Sequence, residues 1–282
     1  MRVFRPSTVL GALGLCVGTL SLPMHSASKG VAPQLGARSH TDLPAAAVDT
    51  IRIVAYNIHH GAGMDEKLDL PRIAEIISSL RPDLVALQEI DNSVERTGFI
   101  DQATVLGELT GLEAAFGEFM PYQGGRYGMA VLSRWPIVRA QNHRLPDGEE
   151  PRSALAVRVL SPTTNRELEF VGIHFYRTAD ERLAQATRVK EIYESEAAPV
   201  ILAGDFNSRP ESEVLALLSG SWYFIEKGAD SFTFPSTAPD HEIDYVAYRP
   251  EANFMVAIQR LLDEPVASDH RPLFVELVWR DQ

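Results

Sequence analysis

A mixed α/β fold is predicted by the way strand-like and helix-like segments alternate. Apolar runs of strand length recur from residue 51 to residue 279. Strand, helix and strand follow one another near residues 51–90 and 168–206, and β-rich stretches fill 127–160 and 242–279. A chain of 282 residues with 45% hydrophobic content can bury one large core, and no internal repeat divides it.

The first 28 residues stand apart. Arg2 and Arg5 precede an apolar run from Thr8 to Leu22 and the small residues Ser26, Ala27 and Ser28, the layout of a secretory signal peptide. The run is short for a membrane span and is interrupted by glycines and Pro23. Lipidation at Cys16 would want a small residue before it, and Leu15 stands there. An exported protein, periplasmic or extracellular, is therefore expected, with no stable membrane insertion after cleavage. Residues 29–49, rich in Ala, Pro, Gly and Ser, lack periodicity and read as a flexible leader to a single domain over 50–282. That domain contains no cysteine, so its core must hold it without a disulfide, and it is expected to be a monomer.

Within the domain, residues 51–56 form an apolar strand that ends in Asn57. A helix follows, with Pro71 in its first turn, Ile73, Ile76, Ile77 and Leu80 as its apolar stripe, and Arg81-Pro82 as its stop. Residues 84–87 make a second strand ending in Gln88 and Glu89, and 128–132 a third behind Arg126 and Tyr127. Residues 170–173 lead to His174. The next helix starts at Thr178, where Glu181 completes a capping box and Leu183, Ala186, Val189 and Tyr193 form the stripe. Residues 200–203 are apolar enough for a strand covered on both faces, and Gly204 closes it before Asp205 and Asn207. A short helix over 211–218 is opened by Ser208. Asp244 lies in the run 243–246, and Asp269 and His270 precede the strand 273–278.

Each of these strands thus adjoins a residue with chemistry to offer, and ligands of α/β sheets bind at strand ends. Carboxylates, amides and two histidines in such positions suit metal-assisted hydrolysis of a phosphoester. Attack by water builds negative charge on the phosphoryl and leaving oxygens, so a hard cation and fixed donors lower the barrier. Mg²⁺ prefers oxygen ligands and keeps several waters, so one or two protein carboxylates suffice, with Glu89 the leading candidate.

At these residues the chain resembles the endonuclease/exonuclease/phosphatase superfamily, which has the DNase I-like fold. The motifs Tyr56-Asn57-Ile58, Leu87-Gln88-Glu89, Arg126-Tyr127-Gly128, Gly172-Ile173-His174, Gly204-Asp205-Phe206-Asn207, Ile243-Asp244-Tyr245 and Ser268-Asp269-His270 arrive in that family's order across residues 50–279. The resemblance implies a four-layer α/β sandwich, two packed mixed β-sheets flanked by helices. It implies that Asp269 joins Glu89 in holding Mg²⁺, with Mn²⁺ as the alternative ion and Asn57 close by. Asp205 would orient or deprotonate the attacking water, while Asn207 would donate to a phosphate oxygen or hold Asp205. His270, with Asp244 fixing its tautomer, is the other candidate base or a phosphate donor, and the choice between Asp205 and His270 stays open. His174 would stabilise phosphoryl charge or assist the leaving group. Arg126, Tyr127 and Arg152, near strand starts, are the substrate-binding candidates, since a planar guanidinium grips phosphate well. His59, His60 and Asp65, in a glycine-containing loop, lack the i, i+4 spacing of a helical zinc pair and read as loop residues.

Charge narrows the substrate. The formal net charge is −12, and loss of the signal peptide over 1–28, which carries two arginines and no acid, makes it more negative. Broad binding to a nucleic-acid backbone needs a basic face, so nucleic acid is an open but disfavoured substrate and a small-molecule or lipid phosphoester is expected. A secreted nuclease cleaving DNA or RNA is the alternative. A noncatalytic binding module comes third, because every core acid, amide and histidine is retained. The segment Phe175-Tyr176-Arg177 departs from the Leu or Pro-Asn continuation common in sphingomyelinases and abasic endonucleases of the family, which tells against either detailed assignment.

Overall fold

The computed structural model describes residues 49–280; the expected signal peptide and almost all of the leader lie outside the described residues. In chain order the elements are β1 (Thr50–Asn57), α1 (Leu70–Leu80), β2 (Leu84–Asn92), α2 (Gln102–Thr110), β3 (Glu113–Tyr122), β4 (Gly125–Ser133), β5 (Ile137–Arg144) and β6 (Ser153–Leu160). They continue with β7 (Glu167–His174), α3 (Ala179–Tyr193), β8 (Val200–Asp205), α4 (Glu213–Ser219), β9 (Tyr223–Phe224), β10 (Asp244–Arg249), β11 (Phe254–Leu261) and β12 (Leu273–Trp279).

The strands form two six-stranded sheets, ordered β11-β12-β1-β2-β4-β3 and β5-β6-β7-β8-β10-β9. Both are mixed: β1 runs parallel to β2 and β7 parallel to β8, while the other pairings are antiparallel. Successive side chains of a strand point to opposite faces, and both faces of these strands are covered. In β1, Ile51, Ile53 and Ala55 enter the core between the sheets, beside Ala86, Met129, Phe170 and Ile201. Val54, Tyr56 and Ile58 instead meet Ile73, Ile77 and Leu106 of α1 and α2. On the far side, α3 and α4 cover Val171, Ile173 and Leu202. This is the four-layer sandwich that the resemblance implied, and it explains why its inner strands read as unbroken apolar runs.

Local chemistry sets the helix ends. Asp69 caps α1 by accepting from the Arg72 N–H at 3.0 Å, and Arg81 closes it in the left-handed region before Pro82. At α3 the expected capping box does not form. Glu181 accepts the Thr178 hydroxyl with one oxygen and the Glu149 backbone N–H with the other, so it never reaches the Thr178 N–H. α4 begins later than expected, capped by Ser212 rather than opened by Ser208. Pro210 disfavours helical geometry at Arg209, and residues 209–212 form a turn first. Neither α2 nor β3 was expected. Among the described residues no helix is long and apolar enough to cross a membrane.

Candidate active site

Strand register assembles one end of the sandwich. In the second sheet β8 lies between β7 and β10, and Asp205 is level with His174 on one side and Asp244 on the other. In the first sheet Asn57 is level with Gln88. A bulge between Gln88 and Ile90 then turns Glu89, whose φ is +60°, out of the alternating pattern. Ser268 ties the C-terminal segment to β1 by donating from Oγ to the Asn57 carbonyl at 2.7 Å, which brings Asp269 and His270 alongside. Gly204 makes the close approach possible. Its φ is +142°, and a Cβ there would lie 2.1 Å from the Ile173 carbonyl oxygen.

Asp205 is the hub. Its Oδ2 accepts from Asn57 Nδ2 at 3.3 Å and lies 3.4 Å from His174 Nε2 and 3.8 Å from His270 Nε2. Its Oδ1 accepts the Asn207 N–H at 2.8 Å, while the Asn207 amide donates to the Phe175 carbonyl at 2.9 Å. His270 Nδ1 sits 2.9 Å from Asp244 Oδ2, and the face of its ring packs on Phe234. Burial and then the Asp244 carboxylate push the Asp205 carboxyl well above the usual carboxylate range. Burial works against a charged His270, but Asp244, Asp205 and Asp269 outweigh it and push the imidazole up to about 10. His174 goes the other way: burial and the Arg152 guanidinium take it down to about 3, so it is neutral.

Glu89 faces the same cavity. Burial would raise its carboxyl, but the neighbouring His60 ring and the Asn57 amide, which donates to Oε1 at 3.2 Å, hold it well below the usual range. Asp269 lines the same cavity. An ionised carboxylate and a second acid on the cavity wall, with the buried Asn57 amide beside Glu89, are a donor set that fits a hard oxygen-seeking cation. Asp205, Asp244 and His270 form another group with ligand atoms mutually close, already joined to one another as an ion-paired network.

A cavity of about 370 Å³ joins these groups. Its lining includes Glu89, His174, Asp205, Asn207, Asp269 and His270, together with Tyr127 and Arg152. Arg152 is buried, its guanidinium packed 4.9 Å from the Phe119 ring centre and 5.3 Å from that of Tyr176, with its charge met by Glu150. Arg126 is not brought to the cavity. In β4 Tyr127, Met129 and Val131 point between the sheets, so Arg126 falls on the opposite face, beside Asn92, Glu118 and the Phe116 ring. Asp65, too, is remote in its contacts, pairing with Arg72 and Lys67. His59 and His60, expected as plain loop residues, sit against Glu89 instead. Cavity residues to which the sequence assigned no site role are Glu150, Tyr176, Arg177, Phe234 and Ile243. Phe234 and Glu150 lie in aperiodic stretches with no spacing signal. Tyr176 and Arg177 directly follow His174, and their position at a strand end was the one available clue.

A family model described as "Endonuclease/Exonuclease/phosphatase family" matches residues 54–270. The uncharacterized protein YbhP of Escherichia coli is 26% identical over 245 residues, which cover 81% of this chain and 96% of that protein. A mannosyl-6-phosphatase from Bacteroides thetaiotaomicron superposes with a TM-score of 0.66 at 21% identity, over 81% of this chain and 99% of that one. The catalytic domain of human Nocturnin, solved with a bound sulfate anion, gives a TM-score of 0.66 at 22% identity over 83% and 96%. At such identities the two superpositions speak to the fold.

Proposed function

This chain belongs to the endonuclease/exonuclease/phosphatase family, whose members are hydrolases of phosphoesters, and from that premise we propose that it is a Mg²⁺-dependent phosphodiesterase or phosphatase of a small-molecule or lipid phosphoester. The observation that carries the reading is the Asp205 carboxylate, held between Asn57, His174 and His270 at the floor of the cavity. A water placed on Asp205 can attack phosphorus in line as the carboxylate takes its proton. The raised affinity of Asp205 for a proton makes it a stronger base than a solvated aspartate. His270, kept cationic by Asp244, is then a donor to a non-bridging oxygen rather than the base. Neutral His174 and the Asn57 amide supply further donors, and Asn207 keeps Asp205 aimed. Arg152 and Tyr127 would face the leaving group or a phosphate oxygen. Glu89 and Asp269, with Asn57, would hold the Mg²⁺, with Mn²⁺ as a substitute, which neutralises charge on the reacting phosphate.

The cavity's modest size and the acidic balance of the chain support a compact substrate. The mannosyl-6-phosphatase and the sulfate held by the Nocturnin domain are consistent with a phosphate-sized site. A nuclease reading has one observation in its favour. Arg177 lines the cavity, and Arg182 and Arg209 line the adjoining hollow, all without a carboxylate at ion-pair distance among the described residues. The deciding experiment is turnover of bis-p-nitrophenyl phosphate, phosphomonoesters, sphingomyelin, plasmid DNA and RNA with Mg²⁺, Mn²⁺ or EDTA. Asp205→Ala serves as the blank. Metal-dependent cleavage of small or lipid esters alone supports the proposal, cleavage of DNA or RNA alone replaces it with the nuclease, and silence from a folded protein refutes both. Export through residues 1–28 belongs to the same proposal, supported by their basic, apolar and small-residue layout. N-terminal sequencing of the protein recovered outside the cytoplasm tests it.

A further inference from the structure

His59 and His60 follow Asn57, the residue that donates to Glu89 and Asp205, by two and three positions, in a 3-10 turn over His59–Gly61. Their φ angles are +47° and +45°, and Glu89, facing them from its bulge, has φ +60°. Left-handed backbone at three neighbouring non-glycine residues is costly, and such clusters persist where surrounding structure enforces them. Here Gln102 enforces it, donating from Nε2 to the His60 carbonyl at 2.6 Å. The three side chains converge so that one ligand atom from each lies within 4.8 Å of the others.

The contacts of the ring nitrogens are those of metal-binding imidazoles. His59 Nδ1 lies 3.1 Å from the Ala62 carbonyl, which accepts its proton and leaves the Nε2 lone pair free. His60 Nδ1 is buried with no hydrogen-bond partner. It stands 3.9 Å from Glu89 Oε2, too far for a hydrogen bond. Two atoms bound to one ion at ~2.0–2.2 Å stand roughly 3.3–4 Å apart, so an ion fits that gap. The two oxygens of Glu89 also look in different directions, Oε1 to Asn57 and Oε2 to His60.

We propose that His59, His60 and Glu89 form a second cation site, selective for a borderline first-row ion such as Zn²⁺, with Glu89 shared between it and the cavity. Imidazole nitrogen favours such ions over Mg²⁺. The half-buried setting leaves room for water in a remaining position. Only the sharing of Glu89 rests on the hydrolase reading above; the imidazole pair stands without it.

Equilibrium dialysis of the metal-stripped full chain against Zn²⁺, in millimolar Mg²⁺, tests this, with Co²⁺ absorption as a reporter of nitrogen ligation. The variants are His59→Asn and His60→Asn, since asparagine tolerates the left-handed backbone. Asp205→Asn controls for the buried Asp205, Asp244 and His270 group. Wild type is expected to retain Zn²⁺ that Mg²⁺ does not displace. Each histidine variant should bind it on the order of tenfold to a hundredfold or more weakly, with an unchanged melting temperature when metal-free, and Asp205→Asn should bind as wild type. Unchanged Zn²⁺ affinity in both histidine variants, or loss confined to Asp205→Asn, overturns the site. Absence of phosphoester turnover alongside intact Zn²⁺ binding would count only against the hydrolase reading.

Discussion

Asp205, His270 and Asp244 form one ion-paired network, so each substitution is a separate question put to it. Asp205→Ala should lower turnover on the order of a hundredfold or more with the fold intact, because it removes the proton acceptor. Near-wild-type kcat in the purified variant would contradict that role. His270→Ala should cost as much, while Asp244→Asn should cost less and flatten the pH profile. The sign of that profile follows from Asp205, which works as the carboxylate and whose proton affinity is raised. Activity therefore falls as pH drops through the shifted value, and the acid limb of kcat/KM should lie above the ordinary aspartate range near ~4. A limb at or below that range would show that burial does not govern the base. For Glu89→Gln the readout is the Mg²⁺ titration, which should shift to higher concentration; an unmoved curve removes Glu89 as a ligand.

At the level of elements, the site depends on how β7, β8 and β10 are spaced. Gly204→Ala sets a Cβ against the Ile173 carbonyl and should destabilise the fold by about 1–3 kcal/mol, read as a lowered urea midpoint. Lys227 is buried, pairs with Glu242 at 2.6 Å and lies 3.9 Å from the Tyr245 ring centre, while the single Tyr245 hydroxyl proton is within reach of both the Ser208 and the Glu242 carbonyls. Lys227→Ala strands the Glu242 carboxylate and should cost about 2–4 kcal/mol, less than a fully buried pair because Glu242 retains some solvent. A stability equal to wild type would show the pair to be dispensable. The elements that were legible in the sequence were those whose signals are local. α1 carries a stripe, a first-turn proline and a stop, and β8 an apolar run closed by glycine. α2 and β3 were not, because Gly107 interrupts the helical pattern and Ala114, Ala115 and Gly117 carry little β preference. The sideways turn of Glu89 needed the β2–β4 register, which depends on a partner strand some forty residues away.

Across the whole molecule, motif order named residues most of which the fold brings around one cavity, but facing is a property of paired strands. Arg126 and Tyr127 are adjacent in sequence and end on opposite sides of a sheet. Overall charge gives its own test. Hydrolysis of a small ester by this acidic chain should depend weakly on ionic strength, whereas a nucleic-acid substrate held by several phosphates should lose affinity steeply with salt. The strand order carries a consequence for timing. β1 is flanked by β12, so the first strand of the domain waits for the last, and Asp269 and His270 arrive just ahead of it. On the proposed hydrolase reading, a nascent chain has no complete site until β12 has emerged to pair with β1, and one stalled before Leu273 should hydrolyse nothing.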